Sequence, residues 1–380
     1  MLPSPVPTAP SALSPASTVH GYVVVPGDTM WEIAHRHGLT LATLVAANPE
    51  LSDPSLIRAG GRLLIPTPML DLGTLGGPSS RAIDVNDLGE VVGTSDLATP
   101  DVYVYRAFIW RDGLMADLGT LGGNLSQAVG INERGQVAGS STASPAAGAP
   151  WRAFLWQDGT MIDIGTLGGP SSMADAISEQ GQIVGSSSAP NGNGRGFIWR
   201  DGVMTDLGTL GGSIATVPID INDRDQVVGS AFTSAGDQHA FLWEDGLMTD
   251  LGTLGGTWSE AHGINSRGEI VGASSLSGGY EGPVHAFLWR DGVMTDLGTL
   301  GGDESLATSI NNRGEVVGMS QTSAGERHAF LWRRGSMSDL GLFEGGRSQA
   351  MAYAVNDRGQ VAGVSGLVFD EHAFLRTPVP

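Results

Sequence analysis

From residue 69 onward, short runs of apolar and small residues alternate with Gly, Asp and Asn pairs, and the whole pattern repeats. The string DLGTLGG begins at Asp71, Asp117, Asp206, Asp250 and Asp296, with variants at Asp163 and Asp339, and successive starts lie 43 to 46 residues apart. An Asn-turn-Gly segment such as INERGQVAG follows each, then a variable loop, then an aromatic run such as AFIW, AFLW or GFIW. Runs this short with this alternation predict strands rather than helices. Asp-Gly between FLW and MTDL, as at Asp291-Gly292, predicts a two-residue hairpin turn. The Asn-x-Arg-Gly segment joins another strand pair, with glycine free to take positive φ. Each unit therefore predicts four strands, in the order AxxIN (inner), EVVGxS, HAFLW and MTDLG (outer), with TLGG crossing to the next unit.

A period in the forties made of short strands predicts a β-propeller, and seven copies of each element predict seven blades. The first element, MLDLGTL at 69–75, is an outer strand with no blade before it, and the last, HAFLR at 372–376, is a third strand with no outer strand after it. Pairing them predicts a 3+1 closure that leaves no exposed edge.

Residues 21–66 follow another pattern. Tyr22 to Val25 reads as a strand stopped by Pro26-Gly27. Asp28 or Thr29 supplies an N-cap for a helix carrying Trp31, Ile33 and Ala34, with Trp31 expected in the core. Thr40 opens a second helix with Leu41, Leu44 and Val45, Asn48-Pro49 ends it, and Leu63 to Ile65 forms a closing strand. This βααβ order, with its PGDT turn, ANP corner and terminal RLLIP strand, resembles the LysM domain family. The resemblance implies binding of N-acetylglucosamine-containing polymers, peptidoglycan or chitin, in a shallow groove between two loops. Carried over, the glycan-binding positions are Gly27, Asp28, Thr29 and Met30 on one side and Asn48, Pro49, Leu56, Ile57 and Arg58 on the other. Residues 1–20, rich in Pro, Ala and Ser, predict a disordered segment with neither the basic nor the apolar region of a signal peptide.

Residues 69–380 resemble the HAF-repeat family, named for His-Ala-Phe, which implies an extracellular protein. The triplet stands at His239, His285, His328 and His372, while Arg106, Arg152 and Arg195 take the histidine position in the first three units. Residues that occur once per blade are expected to serve each blade's structure, because catalysis needs one asymmetric site. The repeated aspartates and their His/Arg partners are therefore expected to hydrogen-bond between outer strands. Functional variety belongs to the loops between second and third strands, on the crossover face. That face presents Tyr103, Trp151, Trp258 and Tyr280, with Tyr105 nearby, as candidate contacts for a protein or a second glycan.

Composition narrows the function. A formal charge of −20 argues against nucleic acid and anionic lipid as partners. No cysteine is present, so disulfides and thiolate metal sites are excluded, and no apolar run is long enough to span a membrane. No motif calls for a cofactor or a metal. The expected function is a non-catalytic, cell-envelope or extracellular glycan-binding protein, with the propeller as an interaction platform. The alternative is a wall-active glycoside hydrolase or lyase, which would need a carboxylate pair drawn from Asp96, Asp101, Glu281, Asp303 or Glu304.

Overall fold

The structure is a computed structural model describing residues 19–36, 44–45, 48, 51, 57–66, 69–99, 104–212, 216–279, 281–341, 349–367 and 370–377. It contains seven four-stranded antiparallel sheets and one two-stranded sheet. The expected mainly β, seven-bladed propeller is present, together with the small N-terminal unit.

In that unit β1 (Val19–Val23) pairs antiparallel with β2 (Arg62–Pro66). The strand begins and ends earlier than its Tyr22–Val25 expectation. Helix α1 (Met30–Arg36) is capped by Thr29. The Thr29 amide and hydroxyl both donate to Glu32 Oε2, at 3.2 and 2.9 Å, and the Glu32 amide donates back to Thr29 Oγ1 at 3.1 Å. This reciprocal capping box settles the choice between Asp28 and Thr29. Met30, Ile33, Ala34, Leu44 and Leu63 form the core. Trp31 is 61 % exposed, which corrects its assignment to the core: with Met30, Ile33 and Ala34 facing inward, the helical rotation turns position 31 outward. The expected disordered segment lies outside the described residues, apart from Val19 and His20 in β1, and so does most of the expected second helix.

Chain entry to the propeller is β3 (Met69–Asp71), followed by the first blade: β4 (Gly76–Val85), β5 (Val91–Leu97), β6 (Tyr105–Arg111) and β7 (Leu114–Asp117). Five further blades repeat this order. In the seventh, the strands Gln349–Val355, Val361–Leu367 and Asp370–Arg376 are joined by β3, through the pairs Met69↔Arg376, Leu70↔Leu375 and Asp71↔Phe374. In the first and sixth blades the end of the TLGG crossover joins the inner strand, making it 10 residues long.

One row of residues sets the shape of every blade. All seven inner strands shift register beside this row, at positions such as Ala82/Asp84, Ala174/Ala176, Pro218/Asp220 or Ala352/Ala354. The bulge drives an inner-strand carbonyl against the second strand. A Cβ on Gly93, Gly139, Gly185, Gly229, Gly272, Gly318 or Gly363 would lie 1.9 to 2.2 Å from that oxygen, so only glycine fits. Across the sheet each glycine pairs with the phenylalanine of the third strand, from Phe108 to Phe374, all fully buried. Opposite each phenylalanine stands the repeated aspartate, as in Phe108↔Asp117 and Phe374↔Asp71.

The core lies between blades. Val91, Phe108 and Leu72 pack with Ala354, Ala362 and Leu375 across the seam between first and last blades, and equivalent clusters fill the other seams. Side chains bond across the same seams. Ser126 Oγ accepts the Ala107 amide of the preceding blade at 3.0 Å and donates to the Gly119 carbonyl at 2.6 Å. The same serine recurs at Ser80, Ser172, Ser259 and Ser305.

The outer hairpins turn through two residues of positive φ, Asp-Gly in five blades, from Asp112 (49°) to Asp291 (51°), each followed by glycine. This is the turn whose twist suits a hairpin. In the sixth blade Arg334 takes the aspartate's place at φ 52°.

Two stability measurements follow. Gly185→Ala forces a methyl onto the Met173 carbonyl, 2.0 Å from its Cβ, and is expected to cost about 3 kcal/mol, the upper part of the overpacking range. Arg334→Asp relieves a left-handed residue and is expected to gain about 0.5–1 kcal/mol. Urea unfolding checks both, with unchanged midpoints counting against the reading.

Candidate functional sites: the N-terminal groove and the propeller faces

The two expected groove loops are brought together by the chain itself. The Val24 amide donates to the Gly61 carbonyl at 2.9 Å and the Gly60 amide to the Val24 carbonyl at 2.8 Å, so the 24–29 loop lies against 57–61. Asp28 Oδ2 accepts the Tyr22 hydroxyl at 2.7 Å and the Val25 amide at 2.9 Å, which closes the first loop around Gly27, at φ 96°. Gly27, Thr29 and Arg58 are exposed, and Asp28 and Ile57 are half-buried.

Two expected contacts are corrected. Met30 is buried in the core, so its side chain does not line the groove. Asn48 is fully buried: its Nδ2 donates to the carbonyls of Leu44 at 2.8 Å and Leu64 at 2.7 Å, and its Oδ1 accepts the Leu64 amide at 2.6 Å. It pins the corner to β2 and has no side-chain group left for a ligand. Pro49 and Leu56 lie outside the described residues. Trp31 stands exposed on α1.

On the propeller the repeated aspartates have two uses. Each accepts the amide of the glycine two residues on, at 2.7 to 2.9 Å, from Asp71–Gly73 to Asp339–Gly341. Each also faces the His or Arg of the third strand. The histidine pairs lie at 2.7 to 2.9 Å, with His372 on Asp71 at 2.8 Å, and the arginine pairs at 3.1 to 3.7 Å. Burial opposes ionisation of Asp71, but the His372 hydrogen bond, the Gly73 amide and the His372 charge outweigh it and hold the carboxyl below its ordinary value.

At one end of the central axis, all seven blades line a cavity of about 340 Å³. Its floor is a ring of valines and isoleucines, such as Val85, Ile131 and Ile177. Above this an asparagine in each turn, except at Ser178, donates to the main chain of the next blade, from Asn86 on Asn132 at 3.2 Å round to Asn356 on Asn86 at 2.8 Å. The rim holds Asp87, Glu133, Glu179, Asp223 and Asp357. These carboxylates cap amides of the neighbouring blade, as Glu179 does for Glu133 at 3.0 Å and Asp87 for Asp357 at 2.8 Å. Burial first, and then neighbouring carboxylate charge, push Glu133 and Glu179 above their ordinary values. Among the described residues no group of three or more His, Asp or Glu is placed to hold a metal ion, and no helix is long and apolar enough to cross a membrane.

On the crossover face Tyr105 and Trp151, from adjacent blades, stack with ring centres 6.5 Å apart and planes 19° from parallel. Trp258 forms a bridge with Gln238 of the preceding blade. Tyr103 and Tyr280 lie outside the described residues. Of the acids suggested for a hydrolase, Asp96 is buried within β5, and Glu304 is held by Arg327 at 3.1 Å. Asp101 lies outside the described residues.

Inside the propeller Asp175 stands at the bulge of its inner strand with no hydrogen-bond partner among the described residues, and burial pushes its carboxyl up to about 7. A folded-state value raised above the unfolded one favours the folded state at low pH. That advantage is lost as pH rises from the ordinary value of 3.8 through about 7. Asp175→Asn is therefore expected to raise Tm at pH 8, by about 2–4 °C for each kcal/mol relieved, with the gain shrinking to nothing near pH 4. Equal gains at both pH values would contradict this account.

Comparison with known proteins bears on both parts of the chain. The β-propeller domain of the Trilobed protease from Pyrococcus furiosus, described as having an open velcro topology, superposes with a TM-score of 0.53 at 11 % identity, covering 78 % of this chain and 95 % of that one. Pyrococcus horikoshii acylaminoacyl peptidase aligns at TM-score 0.49 and 12 % identity over 75 % of this chain and 49 % of its own. At 11 % identity the likeness to the Trilobed protease domain is one of fold. A chlorophenol reductase of Desulfitobacterium hafniense is 43 % identical over 44 residues, which is 12 % of this chain and 14 % of that protein, so the chain spans a small part of that relative. Residues 22–66, the span that contains both groove loops, match the LysM domain family.

Proposed function

We propose that the chain is a non-catalytic glycan-binding protein of the cell envelope or its exterior. In this reading the LysM domain holds an N-acetylglucosamine-containing polymer, peptidoglycan or chitin, and the propeller, of the HAF-repeat type, is an interaction platform. The observation that carries the reading is the family match over residues 22–66, together with two loops joined through Val24, Gly60 and Gly61. Backbone amides of the loop at Gly27 to Thr29 suit the acetamido oxygen, and Ile57 with the Arg58 stem suits its methyl and the sugar face. A single shallow groove of this kind binds in the ~μM–mM range, and useful retention comes from a polymer that offers many sites.

The non-catalytic part of the proposal rests on how the repeated aspartates are used. Each is committed to a glycine amide and to a His or Arg of its own blade, an arrangement that serves seven blades alike.

A pull-down on insoluble peptidoglycan and chitin, comparing the full chain with residues 67–380, tests the reading. The full chain should be retained, the truncated chain should wash through, and neither should release reducing sugar. Full retention of the truncated chain would move the glycan site to the propeller, and sugar release would overturn the non-catalytic assignment.

A further inference from the structure

Seven near-identical repeats provide an internal control: what holds a blade together recurs, and what departs from the repeat needs a separate reason. A polar departure of this kind lies at the seam between the fourth and fifth blades. The positions equivalent to Glu260 hold Arg81, Gln127, Met173, Val217, Leu306 and Met351, and His262 is the one histidine of residues 69–380 outside the repeated His/Arg position.

Gln238 Nε2 donates to Ser230 Oγ at 2.9 Å, and Ser230 Oγ donates to Glu260 Oε1 at 2.9 Å. Glu260 Oε2 faces His262 Nε2 at 3.3 Å, and His262 Nδ1 lies 2.8 Å from the Ala307 carbonyl of the next blade. The seam does not require this chain of bonds. Between the second and third blades the equivalent serine, Ser140, simply accepts the Ala174 amide at 3.0 Å.

Two residues before Glu260 stands Trp258, on the same side of the strand by the two-residue alternation. Its backbone is fixed: the amide donates to Ser275 Oγ at 3.2 Å, and the carbonyl accepts the Ser274 hydroxyl at 3.1 Å. The bridge to Gln238 ties it to the preceding blade. An indole, a carboxylate, an imidazole and a side-chain amide are thus gathered at one seam of the crossover face. Glu260 keeps about a quarter of its side chain in solvent.

We propose that Trp258, Glu260 and His262 form a saccharide subsite on the propeller, separate from the N-terminal groove. A carboxylate oxygen accepts more than one hydrogen bond, so Glu260 can take sugar hydroxyls while keeping Ser230 and His262. Its oxygens are already engaged by Ser230 and His262, which favours a neutral polyhydroxyl ligand over a free cation. The indole supplies an apolar surface for the C–H face of a pyranose, with a polar edge beside it.

The test uses the full chain and cellotetraose, a pyranose oligomer without the acetamido group on which the N-terminal reading depends. Saturation-transfer NMR should show binding by the wild type, and Trp258→Ala and Glu260→Gln should each weaken it at least tenfold. Trp258→Ala leaves the Gln238–Ser230–Glu260–His262 bonds in place and so remains informative even if Glu260→Gln loosens the seam. No transfer from the wild type overturns the proposal, and so does transfer unchanged in Trp258→Ala. Chitotetraose run in parallel reports the N-terminal groove, so failure of either site is seen independently.

Discussion

A backbone carbonyl pressed against a glycine governs this propeller. Wherever the inner strand shifts register, its carbonyl comes to within 1.9 to 2.2 Å of where a Cβ would stand on the second strand, and in all seven blades that position is glycine. Across the sheet that glycine pairs with a phenylalanine that is buried completely, and at Gly139 and Gly363 its ring also crowds the glycine. A phenylalanine fixed there fixes the aspartate opposite it, and with it the glycine amide that opens the crossover. Shape, core and exit to the next blade thus descend from one steric condition. Substituting any glycine of this set perturbs everything outward of it in its blade, because the neighbouring atoms are backbone and cannot step aside.

The seams add what a single blade lacks. An isolated four-stranded sheet has two apolar faces, and here both are covered by identical neighbours. Serine and asparagine bonds fix the rotation between blades, since hydroxyls and amides accept a narrower set of geometries than apolar packing does. The ring tolerates single departures. Ser178 interrupts the asparagine series, and Ala350 replaces the seam serine of the last blade, while the neighbouring seams keep their bonds.

Hairpins and blade number were legible because turns report their own chemistry: Asp-Gly takes two positive φ values at little cost and marks five of the outer hairpins, and the Asp-x-Gly segment that opens each crossover, present seven times, counts the blades. The inner-strand bulge was not legible. It shifts the two-residue alternation by one within a strand of about six residues, too short for the change of phase to stand out, although the glycine of every VVG, VAG or IVG marks its consequence. Aromatic character alone does not place Trp31: helical phase gives the inward direction to Met30, at the first position of α1, and turns Trp31 to solvent. Asn48 illustrates a different limit. A corner asparagine looks the same in sequence whether it meets a ligand or its own chain, and only the Leu44 and Leu64 contacts decide. The Glu260–His262 group left a readable sign, a histidine out of step with the repeat.

The pairing of β3 with Asp370–Arg376 also imposes an order in time. Asp71 and its partner His372 are 301 residues apart, so a chain made from its N-terminus carries β3 unpaired until almost all of the propeller has been synthesised. The first blade waits as well, because the residues that cover Val91 and Phe108 on that side, Ala354, Ala362 and Leu375, arrive last. Intermediate blades can dock on one another as they emerge, but the ring becomes a closed object only at the final strand. Contacts of such long separation slow closure, and until then the nascent chain holds two open faces of the same apolar character. The seven repeats that make the finished ring uniform are, during synthesis, seven similar surfaces competing for the same exposed ends.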